Sequence, residues 1–137
     1  MSDPIDLPKV LTPELEASLN TVATATLTHQ LHQRGIRTTF LPGLKPLQPE
    51  KRMVGRARTL RYVALREDQQ RNYQPGINAQ KRLVESTEEG DVLVMEARGV
   101  ADAATIGDIF ATRHFMLGGR GIVTDGALRD TPAIAAI

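Results

Sequence analysis

The chain has 137 residues, 17 Lys plus Arg against 16 Asp plus Glu, and 41% hydrophobic residues, which fits one domain with a modest core. The near-neutral charge disfavours a dedicated nucleic-acid-binding protein. The absence of cysteine excludes disulfides and thiolate metal sites and fits a cytoplasmic location. No run of about 18 apolar residues could span a membrane, and the N-terminus lacks the features of a secretory signal.

The first third of the chain predicts two helices and a long loop. An irregular arm, residues 1–11, precedes Thr12-Pro13, which combines an N-capping residue with proline at the first helical position. A second helix is predicted from Thr24 to Arg34 and ends at Gly35. The Pro/Gly-rich stretch 38–51 follows, and loops of that length are usually functional or mobile.

The middle of the chain predicts a strand, a polar loop and a short helix. The strand covers Met53 to Leu65, the loop covers residues 66–76, and the helix covers Asn78 to Ser86. Three arginines interrupt the strand and could bind an anion, although a solvated or intersubunit face is the favoured interpretation: Arg56, Arg58 and Arg61.

The last third predicts an α/β layered fold. The apolar run in Asp91–Glu96 is typical of a strand buried on both faces. A helix is predicted from Ala103 to Leu117, then a glycine turn, and then a strand over Arg120–Thr124 parallel to the first. Asp130-Thr131-Pro132 should begin another helix. Because that apolar helix stops at Ile137 without a cap, we expect a fragment or a partner segment that completes the sheet.

The most informative pattern is an acid, Asp108, followed after twenty intervening residues by the adjacent pair Arg129-Asp130. The predicted path brings the helix start and the turn after the strand to one end of a sheet, where α/β proteins bind ligands. Arg129 can grip a substrate carboxylate with its planar fork. Asp130 can hold a hard divalent cation directly or through water.

Structural interpretations of the same residues remain open. Asp108 could only complement the helix dipole, Arg129 could pair with Asp125 or Asp130, and Asp130 could only cap its helix. Asp125, in the turn Thr124-Asp125-Gly126, is interpreted as structural.

The histidines and glycines favour ordinary structural interpretations. His29 and His32 can share a helix face, and polar surface is favoured over a zinc pair; His114 is placed on a helix surface. The three glycines after the helix follow a helix and precede a strand, which is the wrong order for a dinucleotide fingerprint, so they are interpreted as a turn: Gly118, Gly119 and Gly121.

Three stretches carry a family resemblance: EEGDVLVMEARG, ADAATIGDIFATR and GGRGIVTDGALRD. They resemble the family that contains the regulator of ribonuclease activity A (RraA) and the class II pyruvate aldolases acting on 4-hydroxy-4-methyl-2-oxoglutarate and 4-carboxy-4-hydroxy-2-oxoadipate. The resemblance covers roughly residues 12–137 and is densest over 87–132. It implies a single RraA-like domain, an α/β/α sandwich with a partly parallel sheet, whose C-terminal part lies beyond this chain.

The resemblance also implies a site and a function. Arg129 would bind the pyruvyl carboxylate, Asp130 would hold Mg²⁺ or Mn²⁺, and Asp108 would order metal-bound water. Backbone around Gly107, with the amides of Ile109 and Phe110, would cradle the carboxylate. The implied activity is a metal-dependent lyase that releases pyruvate from a 2-oxo acid, including oxaloacetate decarboxylation, in a homotrimer or hexamer with its active site between subunits. No membrane or direct nucleic-acid partner is expected.

Two positions depart from the family pattern, and two other functions stay open. Ala133 stands where the aldolases usually carry an acid, and His29 stands where family members often carry Asp; a further acid from a neighbouring subunit lies beyond the end of this chain. One alternative is a non-catalytic RraA-like protein that binds and inhibits a ribonuclease. The other is a lyase acting on a 2-oxo acid derived from a sugar acid.

Overall fold

The computed structural model describes residues 11–68 and 76–137, so most of the N-terminal arm and the centre of the polar loop lie outside the described residues. Within them, none of the helices is long and apolar enough to cross a membrane. The elements in chain order are α1 (Pro13–Thr21), α2 (Thr24–Gln33), β1 (Arg56–Arg61), α3 (Ala79–Glu85), β2 (Asp91–Glu96), β3 (Ala104–Ile106), α4 (Asp108–Met116), β4 (Gly121–Thr124), β5 (Ala127–Leu128) and α5 (Thr131–Ala135).

A three-stranded parallel sheet in the order β1-β2-β4 forms the centre of an α/β fold, which confirms the predicted fold class. β2 is the middle strand and is almost entirely buried, in agreement with its apolar sequence. The predicted parallel pairing of β2 with β4 is confirmed, with Leu93 opposite Ile122. The strand predicted over Met53–Leu65 is shorter than expected, because only Arg56–Arg61 pairs with β2.

Two of the three β1 arginines pair with a buried carboxylate, a structural role that the sequence did not predict. Their side chains stay 37% and 30% exposed, so the predicted solvated face holds in part. Asp91, at the start of β2, has 0% relative exposure. Its carboxylate accepts hydrogen bonds from Arg56 Nε at 2.8 Å, Arg58 Nη1 at 3.3 Å and the backbone N–H of Glu88 at 2.9 Å. Because a buried charge without a partner is strongly destabilising, these arginines are needed where they lie. Arg61 pairs with Glu96 and stays exposed.

The helix predicted from Ala103 to Leu117 is wrong in its first part. Residues Ala104–Ile106 form β3, which pairs in parallel with β5, and the helix begins only at Asp108. Gly107 separates the two elements as the N-cap of α4. The short apolar stretch before Gly107 is compatible with a helix or a strand. It forms a strand because it pairs with β5.

The end of α4 explains both the glycine turn and His114. Gly118 has φ 94 and donates to Phe115 O at 2.9 Å, while Gly119 donates to His114 O at 3.0 Å, the pattern of a Schellman motif. The predicted turn is therefore confirmed. The surface position predicted for His114 is wrong, because the ring is fully buried between Thr87 Oγ1 at 2.9 Å and Gly121 O at 3.1 Å. Burial lowers the pKa of His114.

The first two helices are confirmed, but neither contains a buried residue. Thr12 caps α1 by accepting from the N–H of Leu15 at 3.2 Å, as predicted. The two histidines of α2 have polar neighbours: His29 Nε2 lies 3.0 Å from the Gln33 amide and His32 Nε2 lies 3.3 Å from Thr39 Oγ1.

Candidate active site

Two short parallel strands end at the predicted site. β3 runs into Gly107, and β5 runs into Arg129 and Asp130. The pairing holds Ala104 opposite Ala127 and Ile106 opposite Leu128, and the backbone N–H of Arg129 donates to Ile106 O at 3.3 Å. The carboxyl ends of both strands are therefore adjacent, the position at which α/β sheets bind ligands. The sheet that carries the site is the two-stranded one, which the sequence did not reveal.

The side chains of Arg129 and Asp130 lie against Gly107. A Cβ atom at Gly107 would come within 2.6 Å of Arg129 Nε and 2.9 Å of Asp130 Oδ2. Gly107 is buried, and its φ of −126 with ψ of −177 is extended backbone open to any residue. A side chain at this position would therefore have to displace the exposed side chains of Arg129 and Asp130. The structure brings together three of the six predicted site residues.

Arg129 and Asp130 remain available to a ligand. The two side chains are 71% and 46% exposed, and Arg129 Nε lies 3.5 Å from Asp130 Oδ2. Asp130 is the N-cap residue of α5, but it makes no side-chain cap hydrogen bond and has the left-handed φ of 58. The expectation that Asp130 starts a helix is confirmed, whereas its carboxylate is not used for capping. Non-glycine residues with left-handed backbone angles cluster at functional sites.

The other predicted site residues form the first turn of α4. Asp108 begins the helix, and its Oδ1 accepts from the backbone N–H of Ile109 at 2.7 Å. One of the two amides assigned to carboxylate binding is therefore already engaged by Asp108. Ile109 itself is 75% exposed. A carboxylate ligand would have to displace the Asp108 side chain to reach this N–H, which would free Asp108 for water or a cation.

The donor set at Asp130 fits one class of metal. Across residues 11–68 and 76–137, no group of three or more His, Cys, Asp or Glu side chains is placed to hold a metal ion. Zinc sites in proteins normally use three or four such ligands. Mg²⁺ keeps several waters and binds through one or two carboxylates with substrate oxygens. A hard, water-rich cation held by the Asp130 carboxylate is compatible with this donor set.

A hydrogen-bonded layer supports β3 directly before Gly107. Thr105 O accepts from Tyr62 Oη at 2.9 Å and from the Gln80 amide. Thr105 Oγ1 lies 3.0 Å from Ala127 O and 3.2 Å from Thr124 Oγ1, so it links β3 to the chain before Arg129. Sequence reasoning missed these residues, because bonds to a backbone carbonyl leave no residue pattern. Partial burial raises the pKa of Tyr62, which keeps its hydroxyl a donor.

Asp125 has the structural role predicted for it. Its carboxylate accepts from the backbone N–H of Ala97 at 2.5 Å and of Gly99 at 2.9 Å. These bonds, with the Ala97 bond foremost, lower the pKa of Asp125. The same bonds hold the turn that follows β2 in place, and Arg98 in this turn has a φ of 60. Of the two acids considered as partners of Arg129, Asp125 and Asp130, the structure places Asp130 beside it.

Two cavities formed by the described residues lie away from Gly107. One of about 260 Å³ is lined by Glu16, Arg56 and Arg120 at the amino ends of the central strands. The other, of about 200 Å³, lies between Leu41-Pro42 and the carboxyl ends of β2 and β4. The side chains of Arg129 and Asp130 are largely exposed, so the candidate site is open to solvent in the single chain.

The fold and site define an α/β protein with an arginine–aspartate pair at the ends of paired parallel strands. A family model described as RraA-like, Aldolase/RraA, matches residues 24–137. The chain belongs to this RraA-like family, which confirms the resemblance seen in the sequence. No match was found among curated proteins.

Two solved structures are similar over nearly the whole chain. RraAS2 of Streptomyces coelicolor, described as an unusual member of the RNase ES inhibitor RraA protein family, is 36% identical with a TM-score of 0.80 and covers 92% of this chain. An uncharacterized protein of Pseudomonas syringae pv. tomato is 26% identical with a TM-score of 0.73 and covers 97%. The chain spans 60% and 58% of the lengths of these two proteins.

Proposed function

We propose that this chain provides the active site of a divalent-metal-dependent lyase that cleaves a 2-oxo acid and releases pyruvate. The observation that carries the proposal is the placement of Arg129 and Asp130 across Gly107 at the ends of β3 and β5. The RraA-like family includes aldolases, which agrees with such a site. The substrates named by the resemblance, 4-hydroxy-4-methyl-2-oxoglutarate and oxaloacetate, are the first to test.

The proposed roles follow from the chemistry of the side chains. Arg129 pairs its guanidinium with the carboxylate of the 2-oxo acid and holds it in one orientation. Asp130 holds Mg²⁺ or Mn²⁺, which would supply Lewis-acid polarisation of the keto oxygen as the enolate charge develops. Asp108, which accepts from the Ile109 N–H in this structure, would help to hold the water of a bound cation. The exposed N–H groups of the first turn of α4 then face the substrate carboxylate.

The exposure of the pair supports an oligomeric active site. Arg129 keeps 71% of its side chain accessible, whereas active sites normally exclude water to strengthen electrostatic contacts. We propose that a neighbouring subunit in a homotrimer or hexamer covers this surface.

The test measures pyruvate release from both substrates by coupling to lactate dehydrogenase, with Mg²⁺ and with EDTA. Removing a preorganised charge stabiliser typically lowers the rate by about 10²–10³, so Arg129→Ala should lose activity by this factor. Arg113→Ala is the matched control, because Arg113 is an exposed arginine paired with Glu85 on α3. Full activity in Arg129→Ala would refute the assignment.

A second candidate function is inhibition of a ribonuclease through protein contacts. The 36% identical Streptomyces protein is described as a member of the RNase ES inhibitor RraA protein family, which favours this candidate. Inhibition by surface contact does not require a metal. Ribonuclease inhibition that persists in EDTA and in Arg129→Ala, without any pyruvate release, would support the inhibitor over the lyase.

A further inference from the structure

The positive charge of this chain is concentrated in one segment. Residues 29–53, called the basic segment here, hold five cationic residues against the single acid Glu50, a net charge of +4. The rest of the chain then holds twelve Lys and Arg against fifteen Asp and Glu. The near-neutral total therefore conceals a regional asymmetry, and regional charge determines attraction to a polyanion. The five cationic residues are Arg34, Arg37, Lys45, Lys51 and Arg52.

The cations of the basic segment lack carboxylate partners among the described residues. Lys81, Arg82 and Arg98 also lack one, but most described arginines after residue 53 are paired. Among the described residues, no carboxylate lies within 4.0 Å of any of the five, and each of the five is exposed. Within the described part of the chain, the Arg34 side chain donates to Gln30 and the Arg52 side chain donates to the carbonyl of Val22. By contrast, seven arginines after residue 53 each contact a carboxylate: Arg56, Arg58, Arg61, Arg66, Arg113, Arg120 and Arg129.

The basic segment includes the end of α2, and its later residues contact both ends of that helix. Thr39 contacts His32 near the end of α2, and Arg52 reaches Val22 just before its start. A helix of ten residues spans about 15 Å at 1.5 Å per residue. The cations near residues 34–37 and 51–52 therefore flank opposite ends of one helix, over a distance that several phosphates of an extended strand could follow.

An exposed aromatic ring lies within the same segment. Phe40 is 77% exposed and the adjacent Leu41 is 59% exposed, although the chain has only three phenylalanines. Proteins that bind single-stranded nucleic acid combine a cationic surface for the backbone with aromatic side chains on which bases stack. An acidic protein segment would use the cations but would gain no base stacking from Phe40.

We propose that the basic segment binds single-stranded nucleic acid, with its cations along the phosphates and Phe40 stacked on a base. This binding is separate from the proposed lyase site, because none of these residues belongs to the Gly107–Arg129–Asp130 cluster. Neutralising Z phosphates of a single strand gives a logarithmic salt slope of about −0.7Z. Five cations therefore set a slope no steeper than about −3.5.

The experiment titrates the full chain into a fluorescein-labelled twelve-nucleotide oligouridylate and follows anisotropy at increasing salt. The triple variant Arg37→Gln, Lys45→Gln, Lys51→Gln should bind at least tenfold more weakly, with a salt slope shallower by about 2. The matched control is the triple variant Lys81→Gln, Arg82→Gln, Arg98→Gln, which has the same net charge and should bind like the wild type. Thermal unfolding of both variants checks that each is folded.

Further arms identify what is bound. Phe40→Ala should weaken oligouridylate by about tenfold through lost stacking and leave competition by polyglutamate unchanged. Equal binding of oligothymidylate assigns recognition to phosphates and bases, and preference for RNA adds the 2′-hydroxyl; both agree with the proposal. Equal weakening in the two triple variants, no binding in the wild type, or competition by polyglutamate as strong as by oligouridylate would each overturn it.

Discussion

At the residue scale, Gly107 is the smallest and most constrained part of the site. Its position between β3 and α4 leaves no room for a side chain, because Arg129 Nε and Asp130 Oδ2 occupy the volume of a Cβ atom. Its backbone angles are ordinary for any residue. A substitution here therefore tests the side chains it displaces and not backbone strain.

We expect Gly107→Ala to lower pyruvate release by at least tenfold, since an added methyl group forces Arg129 away from its place and small misplacements of positioning groups cost about 10²-fold. Thermal stability should change little, because the displaced side chains are exposed. Steady-state kinetics and a thermal melt check both expectations. Thr112→Ala, on the exposed surface of the same helix, is the control. Wild-type activity in Gly107→Ala would show that Arg129 does not act from this position.

His114 predicts a pH dependence of stability. Desolvation lowers the pKa of the buried ring below its ordinary value of 6.5, so folding favours the neutral form. The stability that the neutral His114 ring contributes is fully present above about 6.5, the pKa of the ring in the unfolded chain. It is lost as pH falls from there through the lower pKa of the folded state. Urea unfolding of the wild type and His114→Gln across pH 7.5 to 5 measures it. The stability difference between the two should shrink as pH falls, and a constant difference would contradict this role.

Residue-scale reasoning from the sequence named the candidate site residues but missed the residues that support them. Asp108 and the Arg129-Asp130 pair were predicted because their side chains are chemically conspicuous and their spacing is characteristic. Tyr62, Gln80 and Thr105 were missed because they act on a backbone carbonyl.

At the element scale, β3 depends on side chains as much as on strand pairing. It has three residues and pairs only with the two-residue β5, and strands this short are marginal without further contacts. Tyr62 and Gln80 both donate to Thr105 O. They attach β3 to the chain after β1 and to α3, and so position Gly107.

The double donation to Thr105 O predicts coupling between Tyr62 and Gln80. Tyr62→Phe or Gln80→Leu alone should lower the free energy of unfolding by about 1 kcal/mol, since the carbonyl keeps one partner. The double variant leaves the buried carbonyl without a side-chain donor, so its loss should exceed the sum by about 1 kcal/mol. Urea denaturation of the four proteins in this cycle provides the measurement. Strict additivity would mean that the two donors act independently.

Element prediction failed where tertiary pairing outweighed local pattern. The stretch Ala103–Ile106 has a composition that a helix accepts, and β5 is too short to leave a periodic signal. By contrast, α1, α2, β2 and β4 carry strong local signals and were predicted correctly. Proline, N-capping and continuous apolar runs act locally, which is why the sequence alone reveals them.

At the scale of the whole molecule, two features matter: the uneven distribution of charge along the chain, and the fraction of its relatives' length that the chain spans. The total charge of +1 conceals the basic segment, so composition alone argued against a polyanion partner. The chain spans 60% of the length of the Streptomyces relative, and its proposed active site is open to solvent. Closure of this site by a second subunit is part of the proposed function and remains to be tested by measuring the oligomeric state.

The assignment of Asp130 to a metal is tested most directly by the Mn²⁺ concentration that gives half-maximal pyruvate release from oxaloacetate. The measurement compares the wild type with Asp130→Asn and with Asp102→Asn, an exposed aspartate before β3 that is the control. We expect Asp130→Asn to require at least tenfold more Mn²⁺ while Asp102→Asn behaves like the wild type. Equal Mn²⁺ dependence in all three proteins, or release that persists in EDTA, would contradict a metal-dependent lyase built on Asp130.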